Sequence, residues 1–285
     1  MRIALVTCTE MPRPDGDLPI LGAAFAARGV DTEVVAWEDA SIDWRGFDAA
    51  LVRSPWNYVA RFRGFRAWID RVAAETRLLN PREAILWNLH KRYLAELAGD
   101  GIAVVATEVV LHGVDPDWNA LFDRFGELVV KPAVSAGSFA TIRVARGEVD
   151  AARAHRGAHA ERDLLVQPLL ESVLAHGETN LVHFGGAFSH AIHKGARWNG
   201  EVEQSRGLVA PAADELAIAR RVLDHVDAKG FGALAYARVD IARGADGRAL
   251  LMELEIVEPS LFLDRAPDRA SMLVDATLRA MVANP

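Results

Sequence analysis

Residues 238 to 255 read RVDIARGADGRALLMELE, and this stretch decides the fold. Two apolar runs flank a polar turn that contains Asp246-Gly247, which predicts an antiparallel β-hairpin. Successive side chains of a strand point to opposite faces, so Asp240, Glu253 and Glu255 can meet on one surface. Their neighbours are mostly apolar, and unpaired carboxylates are costly to bury. The hairpin therefore predicts either a bound cation or an exposed, solvated acidic strand face.

The ligand types of this hairpin indicate which cation it would bind. Oxygen ligands without cysteine or histidine are typical of magnesium or manganese sites. Such ions commonly bridge the phosphates of a nucleotide. Arg238 shares a strand face with Asp240, where its guanidinium can stabilise a developing anion.

A lysine at the end of an apolar run is the second informative feature. Lys131 precedes a loop of small residues, 133–138, that contains Ser135, Gly137 and Ser138. The N–H groups of such a loop can cradle a phosphate that the lysine neutralises. Small-residue turns are also common without any ligand. No G-x-x-x-x-G-K-[ST] sequence occurs, which disfavours a Walker-type nucleotide site.

The composition limits the class of protein. The 285 residues suffice for about two domains, and the formal net charge of -7 is unfavourable for nucleic acid, which we do not expect as a partner. The single cysteine, Cys8, excludes an internal disulfide framework and fits a reducing cytoplasm. No uninterrupted apolar stretch of about 18 residues occurs, so we expect no membrane span.

The pattern along the chain divides it into three units. Residues 1–90 alternate strand and helix, which predicts a Rossmann-like parallel sheet of the α/β class. Residues 91–165 form a smaller α+β unit, and residues 166–285 carry antiparallel signals that include a turn at Gly185-Gly186. Predicted strands cover 3–7, 32–36, 49–52, 103–110, 128–131, 141–144, 164–166, 180–184, 187–193, 235–242 and 249–256. Predicted helices cover 18–28, 62–74, 91–97, 118–125, 148–160, 216–226 and 270–280.

In this order, the motifs resemble the ATP-grasp superfamily over essentially the whole chain. Within it, three segments are similar to the D-cycloserine synthetase family, the O-ureido-D-serine cyclo-ligases. These segments read VRSPWNY at 52–58, FGGAFSH at 184–190 and ELEIVEPSLF at 253–262. The resemblance implies a Rossmann-like N-terminal domain followed by two α+β subdomains, 91–165 and 166–285, that clasp ATP. The central subdomain and the loop 195–208 would then serve as lids.

The resemblance also implies a role for each matching residue. Lysines would bind the ATP phosphates with the small-residue loop, a hinge would read adenine, and a glutamate would accept the ribose hydroxyls. The implied nucleotide residues are Lys91, Lys131, Ser135, Gly137, Ser138, Gln167, Pro168, Leu169, Leu170 and Glu178.

The remaining roles concern the metal, the reaction and the substrate. Magnesium, or manganese, would be bound by Asp240, Glu253 and Glu255. The superfamily often has asparagine at the last of these positions, so Glu255 adds a negative charge. Arg238 would steady the tetrahedral intermediate, and Lys194 would lie near the transferred phosphate. From their location, the residues predicted to bind substrate are Arg53, Trp56, Asn57, Tyr58 and Glu258.

The implied activity is ATP-dependent ligation of a carboxylate to an amine through an acyl phosphate. The substrate would be small and amino-acid-like, and the similarity to the cyclo-ligases implies ring closure within one molecule. Two alternatives stay open: a ligase that joins two substrates, and an ATP-binding module without catalysis. A homodimer is the default expectation for an enzyme of this kind.

Overall fold

The computed structural model describes residues 1–196, 198 and 205–283, which form three sheets. The strands are β1 (Arg2–Thr7), β2 (Asp31–Ala36), β3 (Ala49–Ser54), β4 (Arg77–Leu79), β5 (Glu108–Val110), β6 (Leu128–Pro132), β7 (Ile142–Val144), β8 (Leu164–Pro168), β9 (Glu178–Phe184), β10 (Ala187–Lys194), β11 (Ser205–Leu208), β12 (Tyr236–Arg243) and β13 (Ala249–Glu255). The helices are α1 (Asp17–Ala26), α2 (Phe62–Glu75), α3 (Arg82–Asn88), α4 (Tyr93–Gly99), α5 (Trp118–Phe125), α6 (Val149–Ala158), α7 (Glu171–His176), α8 (Ala213–Ala228) and α9 (Ala270–Ala283).

The first sheet is parallel, with the strand order β2-β1-β3-β4, as the alternation of strand and helix predicted. Its central strands β1 and β3 are buried along almost their whole length, which explains their continuous apolar sequence. Parallel strands carry functional loops at their carboxyl ends. The segment 55–58, which follows β3, is such a loop.

The second and third sheets contain the antiparallel hairpins. The second has the order β5-β8-β6-β7, and the third has the order β11-β10-β9-β12-β13. Gly185 and Gly186 connect β9 to β10 with positive φ angles of 56° and 79°, which confirms the predicted turn. The acidic hairpin is also confirmed, because Arg238 pairs with Glu255 and Asp240 pairs with Glu253.

Side chains from the first part of the chain bind the outer edge of β13. The Tyr93 hydroxyl donates to the Leu254 carbonyl at 2.8 Å and accepts from the Leu254 N–H at 2.9 Å. The Asn88 amide also donates to the Leu254 carbonyl, at 2.9 Å, and its oxygen accepts from the Ile256 N–H at 3.2 Å. These bonds satisfy main-chain groups that have no neighbouring strand, and they fix the strand that carries two of the acidic residues.

The prediction of one long strand over 103–110 was wrong. Only Glu108–Val110 joins the second sheet, while Ala103 and Val105 hydrogen-bond to Leu251 of the third sheet. The segment is therefore shared between two sheets. The short elements β4, α3, α7 and β11 were not predicted, because a few residues give too little periodicity to recognise.

The three-unit division of the chain stays a proposal. β8 belongs wholly to the second sheet although it extends to Pro168, so we place the second boundary after this residue rather than at 165. Within the described ranges, no helix is long and apolar enough to cross a membrane.

Candidate active site

A cavity of about 560 Å³ is lined by residues that belong to, or closely follow, strands of all three sheets. Its size is typical of small-molecule sites. The lining includes every residue that the sequence predicted to bind nucleotide or metal or to act in catalysis, and all predicted substrate residues except Arg53. We call one group of lining residues the lysine wall: Lys91, Lys131, Gln167, Glu178 and Lys194. We call a second group the aromatic wall: Arg13, Trp56, Tyr58, Glu258 and Ser260.

Arg238 lies at the centre of the acidic hairpin and is almost fully buried. Its Nε and Nη2 atoms donate to the two Asp240 carboxylate oxygens, both at 2.8 Å. Nη2 also donates to Glu255 Oε1 at 2.6 Å. The strand register causes this arrangement, because Arg238 and Asp240 share a face of β12 and Glu255 is paired opposite Arg238.

Glu253 is held by the lysine wall. Lys91 Nζ lies 2.6 Å from Glu253 Oε1 and donates to the Ser135 carbonyl at 2.8 Å. Burial alone would raise the pKa of Glu253, but the ammonium groups of Lys91 and Lys131 lower it to about 2. Glu253 is therefore ionised at neutral pH.

Glu255 has the opposite balance. Burial raises its pKa to about 8 against the opposing guanidinium of Arg238, and the neighbouring carboxylates of Asp240 and Glu253 add to the rise. The positive charge of Arg238 therefore does not neutralise all of the negative charge of Asp240, Glu253 and Glu255. A buried set of oxygen donors with excess negative charge fits a hard divalent cation.

A further buried polar group lies beside the acidic hairpin, although it does not line the cavity. Asn180 lies on β9, directly opposite Asp240 of β12, and is fully buried. Its Oδ1 atom has no hydrogen-bond partner within the described part of the chain. A buried amide oxygen without a partner is rare, so it indicates a ligand or water at this position. Asn180 was not predicted from the sequence, although its two-residue spacing from Glu178 places both on one strand face.

The three acidic residues line the same cavity, and their assignment to a metal stays a prediction. Their oxygens do not lie within 4.8 Å of one another as a set of three, and Arg238 and Lys91 form ion pairs with them. Among the described residues, a different group of possible metal ligands does meet this distance, at the contact of α4 with α8. Its members are Glu96, Asp100 and His225.

The lysine wall contains four of the predicted nucleotide residues, Lys91, Lys131, Gln167 and Glu178, and the other six also line the cavity. Lys131 is buried, and burial lowers its pKa. Gln167 Nε2 donates to Thr107 Oγ1 at 2.8 Å, a partner that the sequence did not indicate. The Leu169 N–H donates to the Glu127 carbonyl at 2.9 Å, so the predicted hinge would have to use its other main-chain groups.

Lys194 forms an ion pair with Glu178 through Nζ and Oε1. The two residues are paired across β9 and β10, and both side chains are mostly buried. Lys194 therefore lies beside the glutamate predicted to accept the ribose hydroxyls. Seven residues of the predicted lid loop, 197 and 199–204, lie outside the described residues.

The aromatic wall joins the first sheet to the segment after β13. Trp56 Nε1 donates to the Glu258 carbonyl at 3.1 Å, and the Tyr58 hydroxyl hydrogen-bonds to the Glu258 carboxylate. Burial raises the pKa of Glu258 to about 7. The sequence missed Arg13, whose guanidinium lies 4.2 Å from the Trp56 ring centroid and donates to Ser260 Oγ at 2.8 Å. No local motif marks this arginine, which lies in an irregular loop.

Two predicted substrate residues have other partners. Asn57 lines the cavity, but its amide accepts from Trp37 Nε1 at 2.8 Å and donates to Glu38. Arg53 does not line the cavity. Its side chain is fully buried beside Asp17. In this structure the guanidinium is therefore not accessible to the substrate carboxylate that it was predicted to bind.

The fold is that of the ATP-grasp proteins. The chain matches a RimK-domain ATP-grasp protein from Sphaerobacter thermophilus DSM 20745 with a TM-score of 0.69 at 20% identity, over 98% of this chain and 100% of that chain. It matches D-alanine–D-alanine ligase from Bacillus anthracis with a TM-score of 0.68 at 14% identity, over 99% and 97% of the two chains. At these identities the likeness concerns the fold.

A narrower group shares the sequence as well. Residues 3–80 match the N-terminal domain family of the D-cycloserine synthetase DcsG. The cycloserine biosynthesis protein DcsG of Streptomyces lavendulae is 36% identical over 96% of this chain and 97% of that protein. A crystal structure of D-cycloserine synthetase DcsG superposes with a TM-score of 0.91 at 35% identity, over 99% of this chain and 100% of that chain. The chain belongs to the DcsG family of ATP-grasp ligases.

Proposed function

We propose that this ligase activates a substrate carboxylate as an acyl phosphate and then joins it to an amine. The observation that carries the proposal is the position of Arg238, which contacts Asp240, Glu255 and the Ser260 carbonyl. This arginine links the acidic hairpin to the aromatic wall. It is therefore close to both the expected phosphates and the expected substrate.

The first step would be phosphoryl transfer. A substrate carboxylate oxygen bonds to the γ-phosphorus, the bond to the β,γ-bridging oxygen breaks, and ADP leaves with that electron pair. Lys91, Lys131 and Lys194 would neutralise the phosphates, because all three line the cavity. Magnesium, with manganese as a second candidate, would be held by Asp240, Glu253 and Glu255 and would offset the developing phosphate charge.

The second step would be attack of the amine on the acyl carbon. The carbonyl oxygen becomes an oxyanion, the C–O bond to phosphate then breaks, and inorganic phosphate leaves. Arg238, which lines the cavity, would donate to that oxyanion. The proton of the attacking nitrogen needs an acceptor. Glu258 lines the same cavity and, with a pKa of about 7, is suited to hold an ammonium group or to take up a proton.

We propose a small amino-acid-like substrate that carries both the carboxylate and the attacking nitrogen, so that the product is a ring. Membership of the DcsG family supports this choice, because those relatives are described as D-cycloserine synthetase and as a cycloserine biosynthesis protein. The aromatic wall also supports it, since it presents a cation, Arg13, and a carboxylate, Glu258, as an amino acid requires.

The test is ADP release with ATP and magnesium across D- and L-amino acids and the two enantiomers of O-ureidoserine, with the product masses measured. We expect substrate-dependent ADP and a product that is lighter than one substrate by one water. A product that joins two molecules would establish the two-substrate ligase instead. ATP binding without ADP release on any substrate would favour a non-catalytic module and would overturn the proposal.

A further inference from the structure

The segment 257–263 follows the acidic hairpin and has no regular secondary structure over 257–262. Val257, Glu258 and Ser260 line the cavity, and the Ser260 carbonyl accepts from Arg238 Nη1 at 3.2 Å. Phe262 has a φ of 54°, a left-handed conformation that is strained for an aromatic residue. Contacts outside the segment must therefore hold it in place.

The contacts come from β3, from the start of α1 and from β12. The Tyr236 hydroxyl donates to the Val257 carbonyl at 2.8 Å. Arg53 Nη2 donates to the Pro259 carbonyl at 2.9 Å. The Asp17 carboxylate accepts from the N–H groups of residues 261 and 263, at 2.8 Å and 2.7 Å. Together with the bonds of Trp56 to the Glu258 carbonyl and of Arg238 to the Ser260 carbonyl, side chains therefore bind the main chain along most of the segment.

Asp17 and Arg53 act as one unit. Arg53 Nη2 lies 3.4 Å from Asp17 Oδ2, and both side chains are at most 5% exposed. The Arg53 guanidinium carbon lies 5.0 Å from the Tyr236 ring centroid. Its Nε and Nη1 atoms have no hydrogen-bond partner among the residues that the structure describes. A buried ion pair with unmet donors is a poor source of stability, so its position suggests another role.

We propose that Asp17 and Arg53 are positioning residues that hold the segment 257–263, so that Glu258, Ser260 and Arg238 face the substrate correctly. The inference rests on the proposed function for its effect on catalysis. It gives Arg53 a role through the segment rather than through contact with substrate. Losing either residue would displace the aromatic wall and leave the lysine wall intact.

The experiment compares the variants Asp17→Asn and Arg53→Lys with Thr76→Val. Thr76 Oγ1 donates to the Phe47 carbonyl at 2.7 Å, a bond of the same unit that does not involve the segment, so this variant controls for lost stability. We expect Asp17→Asn to raise KM for the amino-acid substrate, or lower kcat, by about 10- to 100-fold, because small displacements of reacting groups are costly. The Kd for ATP and magnesium should change by less than about twofold.

Hydrogen exchange gives a readout that does not depend on turnover. The amides of Leu261 and Leu263 should exchange about tenfold faster in Asp17→Asn and unchanged in Thr76→Val, because each loses a charge-assisted bond. Unchanged exchange, or unchanged KM and kcat, in folded Asp17→Asn would overturn the proposal.

Arg53→Lys keeps the inference testable if Asp17→Asn does not fold. Lysine retains the charge beside Asp17, but its single ammonium group cannot reproduce the planar contact of Arg53 with the Pro259 carbonyl and Asp17. The kinetic constants for the amino-acid substrate and the hydrogen exchange of Leu261 and Leu263 then test the proposal in this variant. A wild-type protein that releases no ADP on any substrate would overturn the proposed function alone, since the exchange rates would still report whether the pair holds the segment.

Discussion

On the lysine wall, three of the four charged residues lie on strands, namely Lys131 on β6, Glu178 on β9 and Lys194 on β10, while Lys91 lies in the turn between α3 and α4. On the aromatic wall, they lie in irregular loops: Arg13 follows β1 and Glu258 follows β13. Strand residues take their direction from the regular alternation of the backbone. Loop residues take it from contacts with distant parts of the chain. We therefore expect the two walls to respond differently to substitution.

The two walls also differ in their electrostatics. The lysine wall pairs its charges closely, as in Lys91–Glu253 and Lys194–Glu178. On the aromatic wall, Glu258 has a hydroxyl rather than a cation as its hydrogen-bond partner, and its pKa is raised to about 7. The first arrangement suits fixed charges that bind phosphates. The second suits a group that exchanges a proton with substrate.

The largest effect is expected for Glu253, which lies on β13 of the acidic hairpin and pairs with Lys91 of the lysine wall. Glu253→Gln should reduce ADP formation by about a thousandfold or more, because the variant loses a proposed metal ligand and the partner of Lys91. Steady-state ADP release at saturating magnesium measures the effect. Asp246→Asn, in the exposed turn of the same hairpin, is the matched control. Turnover near the wild-type rate in Glu253→Gln would show that the metal assignment is wrong.

The next largest effect concerns Arg238, which connects the two walls. Arg238→Met should lower kcat by about 10²- to 10³-fold through loss of the oxyanion donor. Single-turnover phosphoryl transfer and product formation should be followed separately. Product formation should decrease more than ADP formation, because the arginine is assigned to the second step. Equal decreases would place its role in phosphoryl transfer instead.

The raised pKa of Glu258 predicts that the free energy of unfolding depends on pH. Its pKa is about 7 in the folded protein against 4.5 ordinarily, so the folded state binds more protons between these values. The contribution of Glu258 to stability is therefore complete below about pH 4.5 and is lost as the pH rises through about 7. The loss amounts to about 1 to 3 kcal/mol.

Thermal unfolding of the wild type and Glu258→Gln at pH 5 and pH 8 measures this contribution. The variant should lose less stability between the two pH values than the wild type does. Glu255, whose pKa is also raised, contributes equally to both proteins and cancels in the difference. Glu127→Gln, a partly exposed residue, controls for the loss of a carboxylate. Parallel profiles for Glu258→Gln and the wild type would contradict the assignment.

The smallest effect is expected for Arg13→Lys. Lysine keeps the charge but loses the planar stacking on Trp56 and the geometry of the bond to Ser260, so KM for the amino-acid substrate should rise about three- to tenfold. Isothermal titration should show no change in ATP binding. Arg2→Lys is the control, because Arg2 stacks on Phe47 at 4.5 Å on an exposed strand end. Equal effects of the two variants would remove Arg13 from the substrate site.

Much of the lysine wall and of the acidic hairpin could be predicted from the sequence, because a lysine at the end of an apolar strand or two glutamates two positions apart have a fixed direction. Lys131, Glu253 and Asp240 all line the cavity for that reason. The ion pairs of the three carboxylates could not be predicted in this way. The alternation of side chains along a strand predicts the face of the sheet on which each carboxylate lies. It does not predict the partners of these carboxylates, which are Arg238 and Lys91 in the folded protein.

By itself, the sequence determined the α/β class, the two hairpins and the types of residue that form the lysine wall. Turn residues and strand alternation are local properties, which a sequence pattern can show. Trp56, Tyr58 and Glu258 of the aromatic wall were predicted as substrate residues, but only the tertiary structure decided that they form one wall with Arg13 and Ser260. Asp17 and Leu261 are 244 positions apart, and Arg53 and Pro259 are 206 apart. No local pattern encodes such contacts, because they arise when the first and third sheets pack together. For the same reason, Arg53 has the position of a substrate residue in the sequence but is a buried support in the fold.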